Sequence, residues 1–227
     1  MPNIIKLDRY RQAAPQLYDL LREQIISVEL RPGDSLSRNE IASQFGVSQT
    51  PVRDALMRLE QENLVEIFPQ SGTRVSKIDL HAAQQAHFLR KSVETELVYE
   101  FAIQKNESVI AALDTALDSL KSLVNQGHID SFIRADKDFH YVLYEQANLL
   151  EIWSLLQIQS GHIDRIRRLH LPAAGKRQKV IDDHQKIVDA IRSGDGMHAQ
   201  RTVREHLAGT LSNIDLIQEK YPDFFEL

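Results

Sequence analysis

The stretch from Gly46 to Val65, GVSQTPVRDALMRLEQENLV, constrains the fold of this chain more than any other segment. Gly46 suits a tight turn after a preceding helix, and Val47 can anchor that turn in a core. Ser48 can cap the N–H groups at the start of the next helix, and Pro51 fits the first turn of that helix. The segment therefore predicts the turn and second helix of a helix-turn-helix.

The second helix of this motif combines an apolar face with a polar tip. Val52, Leu56 and Leu59 share one face, as the 3.6-residue helical period requires for packing on a core. The polar residues at the N-terminal end and on the opposite side are Gln49, Thr50, Arg53 and Asp54. An apolar back and a tip rich in hydrogen-bond donors are typical of a helix that enters a groove of DNA.

The flanking residues complete a winged helix over residues 1–76. Two further helices are expected from about Pro15 to Ser27 and from about Arg38 to Phe45. Strands are expected at Leu64 to Phe68 and Thr73 to Val75, with a turn between them. At the tip of this wing, Gly72 stands near Arg74, which suits close approach to a phosphate or to the minor groove.

The pattern changes after a short linker at residues 77–79, because only helical periodicity follows. The six expected helices span about Leu80 to Gln104, Ser108 to Gln126, Ile129 to Ala147, Leu150 to Leu169, Lys176 to Arg192 and His198 to Lys220. Residues 80–227 are therefore expected to form an all-α bundle. The predicted fold class is mainly α, with an N-terminal winged helix-turn-helix that carries a small β-hairpin wing, and a C-terminal helical bundle.

Composition limits where such a chain works and what it binds. No apolar run reaches the roughly 18 to 20 residues that a membrane span needs, and the N-terminus does not resemble a secretory signal. The absence of cysteine excludes disulfides and thiolate metal sites, so we expect a cytoplasmic protein with no membrane partner. A net charge of −5 is the wrong sign for a protein that coats nucleic acid non-specifically. DNA binding must therefore depend on where individual arginines lie.

Four residues of the helical part suggest a metal site. Asp136 and His140 are four positions apart, so they share one helix face. His184 is in register with apolar neighbours, and so is His206, which places both on inward faces. One carboxylate and three imidazoles on three helices can bind zinc, nickel, manganese or iron. The alternative is that these are hydrogen-bonded core histidines and an ordinary ion pair on a helix surface.

Two sets of residues resemble a known family. The N-terminal set resembles GntR-type transcription regulators in Leu36, Glu40-Ile41-Ala42, Gly46-Val47-Ser48, Thr50-Pro51-Val52-Arg53, Ala55-Leu56, Leu59 and Pro69-Gln70-Ser71-Gly72-Thr73-Arg74-Val75. The C-terminal set is similar to the all-helical FCD-type effector domain of the FadR subgroup in Asp136-x-x-x-His140, Asp183-His184-x-x-Ile187-x-x-Ala190-Ile191, Gly194-Asp195, Ala199 and His206-Leu207. The resemblance covers nearly the whole chain.

This resemblance implies roles for particular residues. The residues that match the family's metal ligands are Asp136, His140, His184 and His206. Arg90 matches an arginine placed to clamp a carboxylate, although an ion pair with Glu94 is equally open. His162 and Arg165, together with Arg167, could supply further polar groups to an effector, unless they form a solvated basic face.

The helix-turn-helix and the wing give an expected DNA-contacting set: Arg38, Asn39, Ser48, Gln49, Thr50, Arg53, Gly72 and Arg74. Arg53 is the best candidate to read a base, unless it pairs with Glu40 or Asp54. Many relatives carry arginine where this chain has Gln49, and an acidic residue where it has Arg38. Because glutamine pairs best with adenine and arginine with guanine, the operator is expected to differ from those of arginine-bearing relatives.

The expected function follows from both parts of the chain. It is a homodimeric transcription regulator, most simply a repressor, which binds a palindromic double-stranded DNA operator and senses a small organic or sugar acid at a site containing a divalent metal ion, most simply zinc. One alternative is a regulator for which the metal alone is the signal. Another is a metal-dependent hydrolase, but the chain has no HExxH motif and no nucleophile elbow.

Overall fold

The computed structural model of the chain describes residues 7–124, 126 and 128–226. The N-terminal part contains three helices and a small sheet, in the order α1 (Ala13–Ile26), β1 (Ser35–Leu36), α2 (Arg38–Phe45), α3 (Gln49–Gln61), β2 (Val65–Phe68) and β3 (Gly72–Val75). The sheet is antiparallel with strand order β1-β3-β2. Strands β2 and β3 form the expected hairpin, in which Val65 lies opposite Val75 and Phe68 opposite Gly72. The predicted winged helix-turn-helix is confirmed.

Apolar faces of α1 and α3 build the core of this part. Leu17, Leu21 and Ile25 of α1 are buried at helical spacing, and so are Val52 and Leu56 of α3. The buried apolar stripe of α3 leaves its N-terminal end and its opposite face in solvent. The packing therefore presents the polar tip of α3 outward.

The turn between α2 and α3 has the expected shape but a different cap. Gly46 adopts a left-handed conformation with φ of 65°, and the N–H of Val47 donates to the Ala42 carbonyl at 3.0 Å. The prediction that Ser48 caps α3 is wrong, since its side chain makes no cap hydrogen bond. Pro51 occupies the third position of α3 and has no N–H, which removes one of the two donors such a cap would engage. The side chain that does cap a helix here belongs to Ser37, which accepts from the Glu40 N–H at 3.3 Å.

The rest of the described chain is helical, as predicted, but contains more helices than the expected six. The elements are α4 (Leu80–Gln104), α5 (Glu107–Leu123), α6 (Ile129–Gln146), α7 (Leu150–Gln159), α8 (Gly161–His170), α9 (Lys176–Ser193), α10 (Gly196–Ala208), α11 (Ile214–Lys220) and a short 3-10 helix at Pro222–Phe224. Each of the helices expected at Leu150 to Leu169 and at His198 to Lys220 is divided into two. Gly161 and Gly209 lie at these divisions, and glycine inside a helix costs about 1 kcal/mol relative to alanine.

Helix α5 packs on α6 and α9, and α10 packs on α9. Leu113, Leu117, Phe132, Phe139 and Ile187 are fully buried where these helices meet. This packing fixes the inward faces of α6, α9 and α10 next to one another. Across the described part of the chain, no helix combines the length and hydropathy that crossing a membrane requires.

The described chain falls into two compact units, the first of which is made of two separate segments. One unit comprises residues 7–80 together with 218–226, and the other comprises residues 81–217. Within the first unit, the Ile78 N–H donates to the Phe224 carbonyl at 2.7 Å, and the Glu226 N–H donates to the Ile78 carbonyl at 3.2 Å. Ile78 and Phe225 are both buried. Residues 218–226 therefore lie in the same compact unit as the winged helix, since they pair with Ile78.

Candidate metal centre and DNA-reading face

Four side chains from three helices converge inside the helical unit. They are Asp136 and His140 of α6, His184 of α9 and His206 of α10, and their ligand atoms lie within 4.8 Å of one another. The Nε2 atom of His140 is 3.1 Å from that of His184 and 3.3 Å from that of His206. The Oδ1 atom of Asp136 is 3.5 Å from Nε2 of His184. The structure thus brings together all four residues that the sequence singled out.

These distances can be tested against the requirements of a metal ion. Neighbouring ligand atoms bound to one ion at about 2.0–2.1 Å are about 2.8–3.0 Å apart in octahedral geometry and about 3.3–3.4 Å apart in tetrahedral geometry, an overall range of about 2.8–3.4 Å. The two imidazole separations fall in that range and the carboxylate lies just outside it. Three nitrogen donors and one oxygen donor suit zinc, nickel, manganese or iron. The residues present therefore fit a divalent metal ion.

The electrostatics of the cluster favour the forms that bind a metal. Burial lowers the pKa of His184 to about 4, and it lowers the pKa values of His140 and His206 well below the usual range. Asp136 attracts a proton to His184, but desolvation outweighs that attraction. Burial raises the pKa of Asp136, but the combined attraction of Arg167, His184, His140 and Arg90 outweighs burial and leaves this pKa below its ordinary value. Neutral imidazoles and an ionised carboxylate are the states that coordinate cations.

A buried carboxylate supports one of the histidines. Glu94 of α4 is fully buried, and its Oε2 atom lies 2.8 Å from Nδ1 of His140. A carboxylate can only accept here, so Nδ1 of His140 carries the hydrogen and Nε2 is left as the ligand atom. From the sequence, Glu94 was expected only as an alternative partner of Arg90. Its spacing from the apolar Leu97 and Val98, three and four residues on, would have indicated an inward-facing acid.

A cavity of about 440 Å³, which includes solvent at its mouth, opens beside this cluster. Two of its lining residues connect it to the metal-ligating cluster: Arg167 pairs with Asp136 directly, and Arg90 donates at 2.7 Å to Glu94, the partner of His140. The further lining residues are Ala86, His87, Lys137, Trp153, Leu156, Gln157, Ser160, Ile163 and Asp164. Positively charged side chains thus outnumber the single carboxylate, which favours an anionic occupant.

The structure assigns the arginines of this region different positions from those expected. Arg90 forms the ion pair with Glu94 that was considered as an alternative, and it also lines the cavity. His162 and Arg165 are both buried and do not line the cavity, while Arg165 lies 3.0 Å from Nδ1 of His162. A solvated basic face is therefore wrong for Arg165. Arg167 occupies the place beside the cavity.

Every residue of the predicted DNA-contacting set is exposed: Arg38, Asn39, Ser48, Gln49, Thr50, Arg53, Gly72 and Arg74. The side-chain amide of Gln49 donates to Oδ1 of Asn39, which joins the tips of α2 and α3. Arg53 lies 3.3 Å from Asp54, one of the two acids considered as its partner. Because these two side chains are 59% and 48% exposed, the ion pair is weak and DNA can displace it.

Both units are similar to known protein families. The family model described as bacterial regulatory proteins, gntR family, matches residues 13–75, and that of the FCD domain matches residues 85–209. An HTH-type transcriptional regulator in an unstable DNA locus of Streptomyces ambofaciens is 33% identical over 92% of this chain and 88% of its own length. The HTH-type transcriptional repressor RspR of Escherichia coli K12 is 27% identical over 92% of both chains.

A crystal structure supports the fold. That of a GntR transcriptional regulator from Rhodococcus sp. RHA1 has a TM-score of 0.75 and 22% identity, covering 92% of this chain and 98% of that one. The matched families and relatives are transcription regulators, which sets the hydrolase alternative aside. The chain belongs to the GntR family of transcription regulators, in the FadR subgroup whose members carry an FCD domain.

Proposed function

We propose that this regulator is a cytoplasmic homodimer that represses transcription by binding a palindromic operator. It releases the operator DNA when a small organic or sugar acid binds beside a divalent metal ion. Residues 1–76 would bind DNA, residues 77–79 would connect them to the helical part, and helices within residues 80–227 would bind the effector. The observation that carries the proposal is a cavity lined by cations, of which Arg167 contacts the cluster of four metal-ligating side chains directly and Arg90 contacts it through Glu94.

The DNA half of the proposal rests on the exposed tip of α3. Arg53 is placed to read a guanine and Gln49 an adenine, while Thr50 can touch a thymine methyl group or a phosphate. Arg38 and Ser48 would fix the register through the DNA backbone, and the wing would add Gly72 and Arg74. Two copies are needed, because one recognition helix reads only a half-site and a chain with net charge −5 has little non-specific affinity. The relative RspR is named as a repressor, which supports that polarity.

The effector half rests on the chemistry of the cavity lining. A carboxylate would accept two parallel hydrogen bonds from a guanidinium such as Arg90 or Arg167. Trp153 offers a flat face to the carbon skeleton of the acid, and Ser160 and Gln157 offer partners for hydroxyl groups. This combination of charge and polarity suits an organic or sugar acid.

The residues of the metal-ligating cluster also suggest how binding is transmitted. Arg167 holds the Asp136 carboxylate, and Glu94 holds the His140 ring. A divalent ion, with zinc expected first, would be held by Asp136, His140, His184 and His206, and would supply a Lewis acid for one carboxylate oxygen. An acid that bridges the arginines and this centre binds one arrangement of α6, α9 and α10 better than others. DNA affinity can change by no more than that difference in binding free energy.

Thermal unfolding with zinc and with a chelator tests the metal and effector parts together. Saturation at 100 times the dissociation constant adds about 2.7 kcal/mol to the free energy of unfolding. We expect zinc to stabilise the wild-type protein and Asp138→Asn but not Asp136→Asn, since Asp138 is exposed on the same helix and loses the same charge. Organic and sugar acids should then stabilise only the zinc-loaded protein. The metal proposal fails if chelation changes neither the stability nor the response to any acid.

Selection of bound duplexes from a random DNA pool tests the operator. We expect an inverted repeat whose half-sites are separated by about one helical turn, 10–10.5 base pairs centre to centre. Recovery of single half-sites by a monomer would contradict the dimeric part of the proposal.

A second candidate is a sensor for which the metal alone is the signal. The observation in its favour is that four protein ligands can complete a tetrahedral shell without an organic molecule. Operator affinity measured with zinc alone distinguishes the two. A change on zinc addition without any acid supports the metal sensor.

A further inference from the structure

We infer that Glu94 is a positioning residue that links the anion cavity to the metal-ligating cluster, so that occupation of one raises affinity at the other. This inference rests on the proposed function, because it concerns how its two binding sites communicate. Glu94 touches neither the ion nor the effector in this scheme. It acts through His140 on one side and through Arg90 on the other.

The two oxygens of Glu94 serve different partners. Oε2 accepts from Nδ1 of His140 at 2.8 Å, while Oε1 accepts from Nε of Arg90 at 2.7 Å. The hydroxyl of Tyr144 lies 3.4 Å from Oε1 and is the most distant of these contacts. The carboxylate is fully buried, and the Arg90 side chain is 16% exposed. Glu94 therefore forms a direct path from a cavity-lining cation to a metal-ligating imidazole.

The bond to His140 determines how well that ring binds a cation. A carboxylate at Nδ1 fixes the tautomer and the orientation of the imidazole and increases the electron density at Nε2. The Nε2 atom is the one that faces His184 and His206. The negative charge available at Glu94 thus affects the affinity of the whole cluster for a metal ion.

The ion pair with Arg90 draws on the same negative charge. A buried carboxylate needs a compensating cation, and Arg90 supplies it while the cavity holds solvent. An anion that enters the cavity attracts the Arg90 guanidinium and weakens its hold on Glu94. More of the Glu94 charge then acts on His140, and metal affinity rises. Because linkage is reciprocal, a bound metal raises the affinity for the anion by the same factor.

Zinc affinity, measured by competition with a chromogenic chelator at fixed pH, tests this role without any effector. Glu94→Gln keeps the shape of the side chain and removes its charge, so we expect affinity to fall about 10- to 100-fold. Tyr144→Phe is the matched control, because it removes a weaker contact of Glu94 and leaves the charge in place; we expect it to change zinc affinity less than twofold. The absorption spectrum of the cobalt-loaded protein should shift in Glu94→Gln alone, because it reports the geometry and strength of the bound imidazoles.

Arg90→Gln tests the link to the cavity. Arg90→Gln should raise zinc affinity by a larger factor in the wild-type protein than in Glu94→Gln. Loss of the direct repulsion between Arg90 and the ion contributes equally in both backgrounds, so the difference between the two factors measures the effect that passes through Glu94. The double variant also removes the arginine charge that Glu94→Gln strands in the interior. If Glu94→Gln alone does not fold, comparison of the double variant with Arg90→Gln measures the effect of Glu94.

The outcomes distinguish failure of this inference from failure of the proposed metal centre. Zinc affinity and a cobalt spectrum unchanged by removal of Glu94 overturn the positioning role and leave the metal centre intact. Equal effects of Arg90→Gln in both backgrounds overturn the link to the cavity. A wild-type protein that binds neither zinc nor cobalt overturns the proposed metal centre and the inference with it.

Discussion

Acid should destabilise the metal-free protein through His184. Burial lowers the pKa of this imidazole from 6.5 to about 4, so the native protein holds it neutral across the mildly acidic range. Below pH 6.5 the unfolded chain binds a proton at this position and the native chain does not. His184 therefore leaves the free energy of unfolding unchanged well above pH 6.5 and lowers it progressively as the pH falls from 6.5 to 4.

The size of this loss follows from the two pKa values. A shift of about 2.5 pKa units corresponds to a limit of about 3 kcal/mol. Relative to pH 7.5, the loss from His184 alone is about 1 kcal/mol at pH 5.5 and about 2–3 kcal/mol at pH 4.5. His140 and His206 add to the total, because burial also lowers their pKa values.

Urea unfolding followed by circular dichroism in the presence of a chelator measures this effect at pH 7.5, 5.5 and 4.5. The comparison is between the wild-type protein, His184→Gln and His198→Gln, which changes an exposed histidine of α10. The stability of His184→Gln should depend less on pH than that of the wild-type protein, by about 2–3 kcal/mol over this range. His198→Gln should follow the wild-type protein. If His184→Gln loses as much stability as the wild-type protein, His184 is not held neutral and the reasoning is refuted.

Three further predictions concern the DNA-binding unit. Arg53→Ala should weaken specific operator binding by about 1–3 kcal/mol in gel-shift titrations, whereas Arg201→Ala, on an exposed face of α10, should leave it unchanged. Unchanged operator affinity in Arg53→Ala would mean that another element reads the bases. Gln49→Arg should shift the preferred base at its position from adenine to guanine in a selection from random duplexes, and an unaltered preference would show that Gln49 reads no base. Ser37→Ala should lower the free energy of unfolding by about 1 kcal/mol, because it removes the cap on α2, whereas Ser48→Ala should leave stability unchanged. Equal losses in urea unfolding would contradict that assignment of the cap.

Local patterns were sufficient to predict most of the secondary structure. Helix α2 has the predicted bounds, since Ser37 and Gly46 mark its two ends in the sequence itself. The divisions at Gly161 and Gly209 were also visible as glycines, but apolar spacing continued across them and favoured single helices. The missing N–H of Pro51 likewise argued against a cap by Ser48, although Ser48 stands at the usual position for one.

The candidate metal centre could be predicted because each ligand is marked by its own helix. Asp136 and His140 share a face, and His184 and His206 are in register with apolar residues. The partners of these ligands could not be predicted in this way. Glu94 lies 46 residues from His140 in sequence, and only the packing of α4 on α6 brings them together. The choice of Arg167 over Arg165 at the cavity depends on the rotation of α8, which no local pattern determines.

The pairing of Ile78 with Phe225 makes the DNA-binding unit discontinuous in sequence. In topological terms, residues 81–217 are an insertion between two segments of one unit. A fragment that stops near residue 79 would retain Ile78 but lose the segment that covers it, and would expose an unpaired backbone edge beside a buried apolar side chain. A DNA-binding fragment that keeps this edge paired would have to join residues 1–80 to residues 218–227 through a flexible linker.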